Sequence, residues 1–110
     1  MRRTPKPGQA VRGSKTGRPI MALLDLLGRR WALRIVWELR EKRLPFRALR
    51  EACGGVSPSV LNLRLKELRD SHLIDLEDDG FGLTPLGQQL REALHPLIEW
   101  SNRWATTTRR

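Results

Sequence analysis

The sequence has 110 residues and a formal net charge of +9, from 21 Lys and Arg against 12 Asp and Glu. This length allows one domain with one modest core, and the basic surplus favours a polyanionic partner, either nucleic acid or a membrane surface. The single cysteine excludes an intramolecular disulfide and a cysteine-cluster zinc site, and no apolar segment is long enough for a signal peptide or a membrane span, so we expect a cytoplasmic protein.

The first 18 residues form a basic segment that contains six Lys and Arg and no acidic residue. Two prolines, three glycines and almost no large apolar side chain leave this segment too little surface to bury to offset its ordering entropy. We therefore predict a disordered basic arm over residues 1–18. It is either a solubilising tail or a segment that seeks DNA phosphates.

Two apolar helices are predicted after the arm. Pro19 is a suitable first helical residue for "PIMALLDLLG", which Gly28 ends. The segment "RRWALRIVWELREK" follows as a second helix that is apolar nearly all round, so we expect it at the centre of the domain, with Trp31 and Trp37 in the core.

A third and a fourth helix enclose a glycine turn. Residues 42–45 are expected to form a turn or a short extended piece because the residue before proline avoids the helical region, and "FRALREAC" then makes a two-turn helix. After Gly54-Gly55, Ser57 is placed to cap the helix of residues 57–70. That helix has apolar residues at helical spacing on one face, namely Leu61, Leu65 and Leu68.

A hairpin and a last helix complete the predicted order. "HLIDLED" alternates well enough for a strand, Asp79-Gly80 has the composition of a two-residue hairpin turn, and "FGLT" is the return strand. Thr84-Pro85 opens the last helix, which Pro96 is expected to kink or split.

These elements predict a mainly α fold with a small β-hairpin. A helix, a glycine turn and an amphipathic helix followed by a hairpin form a winged helix-turn-helix, which presents its second helix to the DNA major groove. The predicted organisation is this DNA-binding domain over residues 19–106, with a disordered tail at 107–110.

Four segments resemble the HxlR-type winged helix-turn-helix regulators of bacteria: "LLGRRWALRIVWEL", "LPFRALREACGGVSPSVLNLRLKEL", "HLIDLED" and "LTPLGQQL" continuing to "LIEW". Together they cover roughly residues 20–104. The resemblance implies a homodimeric transcription regulator, and its two-fold symmetry predicts an inverted-repeat operator in duplex DNA.

The resemblance also implies that the first and last helices supply much of the dimer contact. A small domain has little need of two further buried indoles on a terminal helix, so we expect a dimer interface, rather than packing within the subunit, to cover the tryptophans there. The residues expected in this interface are Leu23, Leu24, Leu27, Leu97, Trp100 and Trp104.

The DNA contacts are predicted from the helical wheel of the fourth helix and from the resemblance. If the leucine face packs on the core, Ser59, Asn62, Leu63 and Lys66 are the candidates to read bases. The resemblance places the start of the second helix and the third helix beside the DNA backbone. The candidate backbone contacts are Arg30, Arg47, Arg50, Ser57 and Arg69.

The chain departs from the family pattern in three places. It lacks the cysteine that the family often has before the first helix, so thiol sensing is not expected, and Cys53 is expected to fill the core. Arg29 stands where the family commonly has a second glycine. The predicted wing, "LEDDGFGL", is short and acidic, so we expect it to lie off the DNA or to touch it only weakly.

Two other classes of function compete with DNA binding. An enzyme is disfavoured because the chain has no tyrosine, two isolated histidines, no glycine-rich phosphate loop and no recognisable carboxylate pair, and no cofactor, metal or membrane partner is expected. The closer alternative is a winged helix that binds protein or RNA without operator recognition. No small-molecule effector is identified by the sequence.

Overall fold

A computed structural model of the chain describes residues 3–11 and 17–108. Within these residues the element order is α1 (Pro19–Leu27), α2 (Ala32–Glu38), α3 (Phe46–Ala52), α4 (Pro58–Asp70), β1 (Ile74–Glu77), β2 (Gly80–Leu83) and α5 (Pro85–Thr108). The predicted fold class, a mainly α winged helix-turn-helix with a small hairpin, is confirmed. Each described helix is either too short or too polar to span a lipid bilayer.

The core lies between α2, α3, α4 and the hairpin. Each helix turns one apolar face inward, as the 3.6-residue spacing of its leucines and isoleucines requires. The side chains buried there include Ile35, Val36, Leu39, Leu49, Leu61, Leu65, Leu68 and Phe81. Cys53 is buried with them, as expected, and burial raises the pKa of its thiol, so the thiol stays protonated at neutral pH.

The second helix is shorter than predicted. Trp31 has the left-handed backbone angles φ 79° and ψ −13°, so the residues before Ala32 form a turn and α2 begins only there. One face of α2 packs on the core, but the opposite face points outward, and Trp37 on that face is 42% exposed. The Arg40 guanidinium stacks over the Trp37 ring, 3.9 Å from the ring centroid. The expectation that Trp37 lies in the core is therefore wrong.

The hairpin turn lies one residue earlier than predicted. Glu77 pairs with Gly80, so the two turn residues are Asp78 and Asp79, and Gly80 belongs to β2. Gly80 is required for another reason: at φ 120°, a Cβ there would lie 2.4 Å from the Leu44 carbonyl carbon. The predicted extended piece at residues 42–45 pairs with the hairpin at this point, through two 2.9 Å backbone hydrogen bonds between Leu44 and Phe81.

The last helix begins at a hydroxyl cap. Thr84 Oγ1 accepts a 3.0 Å hydrogen bond from the Gly87 amide and donates a 2.6 Å hydrogen bond to the His72 carbonyl. Pro96 lies inside α5 and does not split it. The helix continues to Thr108, residues 109–110 lie outside the described residues, and the predicted tail at 107–110 stays a prediction.

The described part of the basic arm lies against the body of the domain. Pro5 is buried, and the Gly8 amide donates to the Gly17 carbonyl over 2.8 Å. Residues 1–2 and 12–16 lie outside the described residues. The predicted disorder of the arm over residues 1–18 stays a prediction.

Candidate nucleic-acid interface

The turn between α3 and α4 is built as the sequence predicts. Gly54 and Gly55 have φ of 78° and 85°, a left-handed backbone that glycine adopts without strain. Ser57 Oγ accepts a 3.3 Å hydrogen bond from the Val60 amide and so caps α4. Arg50 Nε donates to the Val56 carbonyl over 2.7 Å, which ties the end of α3 to the turn.

The predicted base-reading residues share the side of α4 that faces away from the core. Ser59, Asn62 and Lys66 are exposed, and Leu63 is half-buried. The core face carries the buried leucines named above. The structure therefore brings the four candidates together on one surface, which we call the α4 outer face.

Lys66 is not an isolated charge on this face. Its Nζ lies 2.7 Å from Asp70 Oδ2, one helical turn away. The hydrogen bond from Lys66 is the main reason why the pKa of Asp70 is held below its ordinary value, and a hydrogen bond from Thr4 adds to it. A lowered carboxyl pKa means that this ion pair persists at neutral pH and is lost only as the pH falls through that value, so a DNA phosphate must compete with Asp70 for Lys66.

The predicted backbone contacts occupy different environments. Arg47 has 94% of its side chain exposed to solvent, and its Nε lies 3.8 Å from Glu51 Oε1. Arg30 and Arg69 are exposed, and the Arg30 guanidinium lies 5.4 Å from the Trp31 ring centroid. Ser57 and Arg50 are exposed, but each already makes a hydrogen bond that stabilises the turn between α3 and α4. A phosphate contact by either residue would come in addition to this structural role.

Sequence reasoning missed a buried ion-pair network behind α4. Arg29 and Glu67 are only 7% and 4% exposed, and their side chains pair directly through Nη1 and Oε2. Glu67 Oε1 also accepts a 2.8 Å hydrogen bond from Arg64, whose Nε donates to the Arg30 carbonyl over 2.7 Å. Arg29 Nη2 lies 3.6 Å from Asp25 Oδ2 in α1. Two spacings were local signs of this network in the sequence: three residues between Arg64 and Glu67, and four between Asp25 and Arg29.

Sequence reasoning also missed the arginine that holds the acidic wing. Arg43 pairs with Asp75, with Glu77 at 3.1 Å and with Asp79 at 3.8 Å, and it donates to the Gly80 carbonyl over 2.9 Å. The pKa of Arg43 is raised, chiefly by the hydrogen bond to Asp75. One guanidinium thus faces three carboxylates, and the wing keeps a negative surplus; its position off the DNA stays a prediction.

The predicted dimer residues are apolar side chains on two helices, α1 and α5. Leu24, Leu97, Trp100 and Trp104 are each at least half exposed, whereas Leu23 and Leu27 are partly buried. The two indoles stack with ring centroids 6.2 Å apart and planes inclined by 9°.

A cleft of about 290 Å³ between α2 and α5 adjoins the apolar residues of α5. Its apolar lining consists of Leu33, Val36, Trp37, Leu94, Leu97 and Ile98. Among the described residues no group of three or more His, Cys, Asp or Glu side chains is arranged to hold a metal ion.

Comparison with known protein families identifies a match over most of the chain. The family model described as HxlR-like helix-turn-helix matches residues 26–109. The uncharacterized HTH-type transcriptional regulator YtfH of Escherichia coli (strain K12) is 32% identical over 97 residues, which cover 74% of this chain and 71% of YtfH. The uncharacterized HTH-type transcriptional regulator YdzF of Bacillus subtilis (strain 168) is 30% identical over 92 residues, which cover 78% of this chain and 83% of YdzF.

Solved structures of similar fold point the same way. The quinone-bound YodB of B. subtilis superposes with a TM-score of 0.72 at 25% identity, over 76% of this chain and 96% of YodB. A possible HxlR family transcriptional factor from Thermoplasma volcanium gives a TM-score of 0.67 at 28% identity, over 76% of this chain and 82% of that chain. A regulator assigned to the MarR family, from Enterococcus faecalis, gives 0.72 at 28% identity, over 83% of this chain and 89% of that chain.

Proposed function

Since the chain belongs to the HxlR-like helix-turn-helix family, whose members are DNA-binding transcription regulators, we propose that it acts as a homodimer on an inverted-repeat operator. In this proposal α4 enters the major groove of each half-site. The observation that carries it is the capped α4 with Ser59, Asn62 and Lys66 exposed together on its outer face.

The dimensions and charges around α4 support the groove contact. A helix of 13 residues is about 20 Å long and fits the major groove, which is about 12 Å wide. Arg47 on α3 and Arg30 before α2 are exposed cations of the kind that contacts phosphates beside such a helix. We assign Asn62, Lys66 and Ser59 to base edges and Leu63 to a thymine methyl group.

The exposed apolar residues of α1 and α5 support the homodimer. Leu97, Trp100 and Trp104 would be costly to leave in water, and a second copy related by two-fold symmetry presents the same surface to them. In a two-fold dimer whose two α4 helices enter the groove on one side of the duplex, the half-site centres lie about one helical turn apart, near 10 bp. We place this activity in the cytoplasm and assign no catalysis to the chain.

Three variants should distinguish residues that contact bases from a residue that contacts the DNA backbone. Asn62→Ala and Lys66→Ala should each relax base preference at one position per half-site and cost about 1–3 kcal/mol on the preferred site, since each removes a base contact. Arg30→Ala should weaken preferred and random sites alike, because a phosphate contact carries no sequence information. The measurement is a selection from random duplexes with each variant and the parent, followed by titration of the enriched site.

Each outcome of this selection has a definite meaning. An enriched inverted repeat for the parent supports both the function and its symmetry. If Asn62→Ala and Lys66→Ala both return the parent's preference with unchanged affinity, α4 is not the reading element.

The alternative is a winged helix that binds protein or RNA, and the acidic wing is the observation that favours it. The carboxylates of Asp75, Glu77 and Asp79 outnumber their one arginine partner and would repel a phosphate backbone. Binding of duplex DNA that falls steeply with salt supports the operator proposal, whereas binding to RNA alone, or to neither nucleic acid, supports the alternative.

A further inference from the structure

The described part of the N-terminal arm is attached to the body at two polar contacts. The Arg3 carbonyl accepts a 2.9 Å hydrogen bond from Arg29 Nη2, and Thr4 Oγ1 donates to Asp70 Oδ2 over 3.2 Å. Arg29 is itself bound to Glu67 of α4, and Asp70 is the last residue of α4. Both contacts therefore fix the arm to the candidate reading helix.

Two prolines attach the arm on its apolar side. Pro5 is buried, and with Pro7 it lines a groove of about 460 Å³. The apolar groups across this groove are Pro19, Ala22, Leu23, Leu26, Leu73 and Leu86. Proline has a restricted backbone even in the unfolded chain, so ordering these residues costs less entropy than ordering an average segment. Docking is consequently more favourable than the polar composition of the arm indicates.

The docked arm places two cations at the edge of the α4 outer face. Arg3 and Lys6 are exposed and line a cleft of about 370 Å³ together with Leu63 and Lys66. The charge of Lys6 also contributes to the lowered pKa of Asp70. The acidic groups of this cleft are already engaged, because Glu67 binds Arg29 and Arg64 and Asp70 binds Lys66 and Thr4. The cleft thus has a net positive charge beside the residues assigned to base reading.

We propose that residues 3–7 are a fixed part of the DNA-contact surface, docked on Arg29 and Asp70 so that Arg3 and Lys6 bind phosphates at the edge of the groove that α4 enters. This proposal rests on the operator-binding function. A docked arm differs from a free basic tether. A free tether would attract DNA through its net charge alone, and the positions of the charges within the arm would not matter.

The test compares two charge-matched variants of the full chain. Lys6→Gln and Arg18→Gln each remove one positive charge from an exposed position of the same arm, but only Lys6 lines the cleft. Each phosphate contact contributes about 0.9 to the slope of log affinity against log salt, so Lys6→Gln should lower that slope by about 0.9 per chain and Arg18→Gln by clearly less. Equal losses for the two variants would mean that only net charge matters and would overturn the proposal.

A third variant tests docking without changing charge. Thr4→Val removes the hydroxyl donor to Asp70 and keeps the shape of the side chain, so it should weaken operator binding several-fold if the arm acts in its docked position. Hydrogen exchange of the DNA-free parent gives a second measurement, since the Gly8 and Gln9 amides donate to Gly17 and Lys6 carbonyls and should exchange more slowly than in an unfolded chain.

The outcomes separate this proposal from the function on which it rests. A parent that binds no duplex DNA would overturn the operator function itself. A parent that binds DNA, with unprotected Gly8 and Gln9 amides and with a Thr4→Val variant of unchanged affinity, would overturn only the docking of the arm.

Discussion

Leu97→Asp is expected to convert the protein to a monomer and to reduce its affinity for a two-fold DNA site by about 10²–10⁴-fold. Leu97 is 55% exposed in the single chain, so the new carboxylate does not disturb the core of the subunit. In the proposed dimer it would be buried beside the apolar surface of the partner, where an unpaired charge is very costly. The loss of DNA affinity follows because two linked half-site contacts bind more tightly than separate ones by about that factor.

The control is Asn102→Asp, which adds the same charge to α5 at an exposed position on another face of the helix. Sedimentation of both variants and the parent gives the oligomeric state, and titration with an inverted repeat and with a single half-site gives the affinity. We expect Asn102→Asp to behave as the parent does. A Leu97→Asp protein that remains dimeric would place the interface elsewhere, and a monomeric parent with no preference for a repeat would refute the dimer altogether.

Gly87→Ala is expected to destabilise the fold by about 3 kcal/mol, at the upper end of the range for overpacking. A Cβ at Gly87 would lie 2.1 Å from the Leu73 carbonyl oxygen, which is backbone and accepts a 3.1 Å hydrogen bond from the Thr84 amide. Moving α5 away would strain this hydrogen bond and the Thr84 cap. Alanine favours an exposed helix over glycine by only about 1 kcal/mol, so the steric overlap decides the sign.

Thermal unfolding provides the measurement. A loss of about 3 kcal/mol lowers the Tm of a domain of this size by about 12–24 °C. Gln89→Ala, at an exposed position two residues further along α5, is the control and should leave the Tm nearly unchanged. A Gly87→Ala protein as stable as the parent would show that α5 does not pack this closely on the connection between α4 and β1.

The positions of most helices and the side of α4 that faces outward were predictable from the sequence. Helices begin at Ser57-Pro58 and at Thr84-Pro85, where a hydroxyl caps the helix and a proline occupies its first position. Both starts were predictable because a cap and a proline act only on the next few residues. The leucines of α4 predicted its buried face for the same reason, since helical spacing is a local property. The placement of Ser59, Asn62 and Lys66 on the opposite face then followed.

The errors of the sequence prediction occurred where local patterns had a second explanation. The composition of Asp79-Gly80 suits a hairpin turn, but Gly80 is needed because the backbone of Leu44 passes 2.4 Å from the position of a Cβ. Trp37 lies in a segment that is apolar nearly all round, which predicted a fully buried helix, but the rest of the described chain leaves the outward side of α2 uncovered. In both cases the packing of the whole domain, and not the local pattern, determined the role of the residue.

The sequence by itself therefore determined the order of the elements, the caps of α4 and α5 and the amphipathic faces, because each depends on residues within about one or two helical turns. Only the tertiary structure decided that Arg29 pairs with Glu67, 38 residues away, and that Arg43 holds the wing through Asp75, 32 residues away. Local periodicity carries no information about which charged side chain will meet which, since an ion pair forms between groups that the packing of the helices brings within about 4 Å. The same holds for the arm, whose contacts with α4 depend on a groove that exists only after α1, α4 and α5 have packed together.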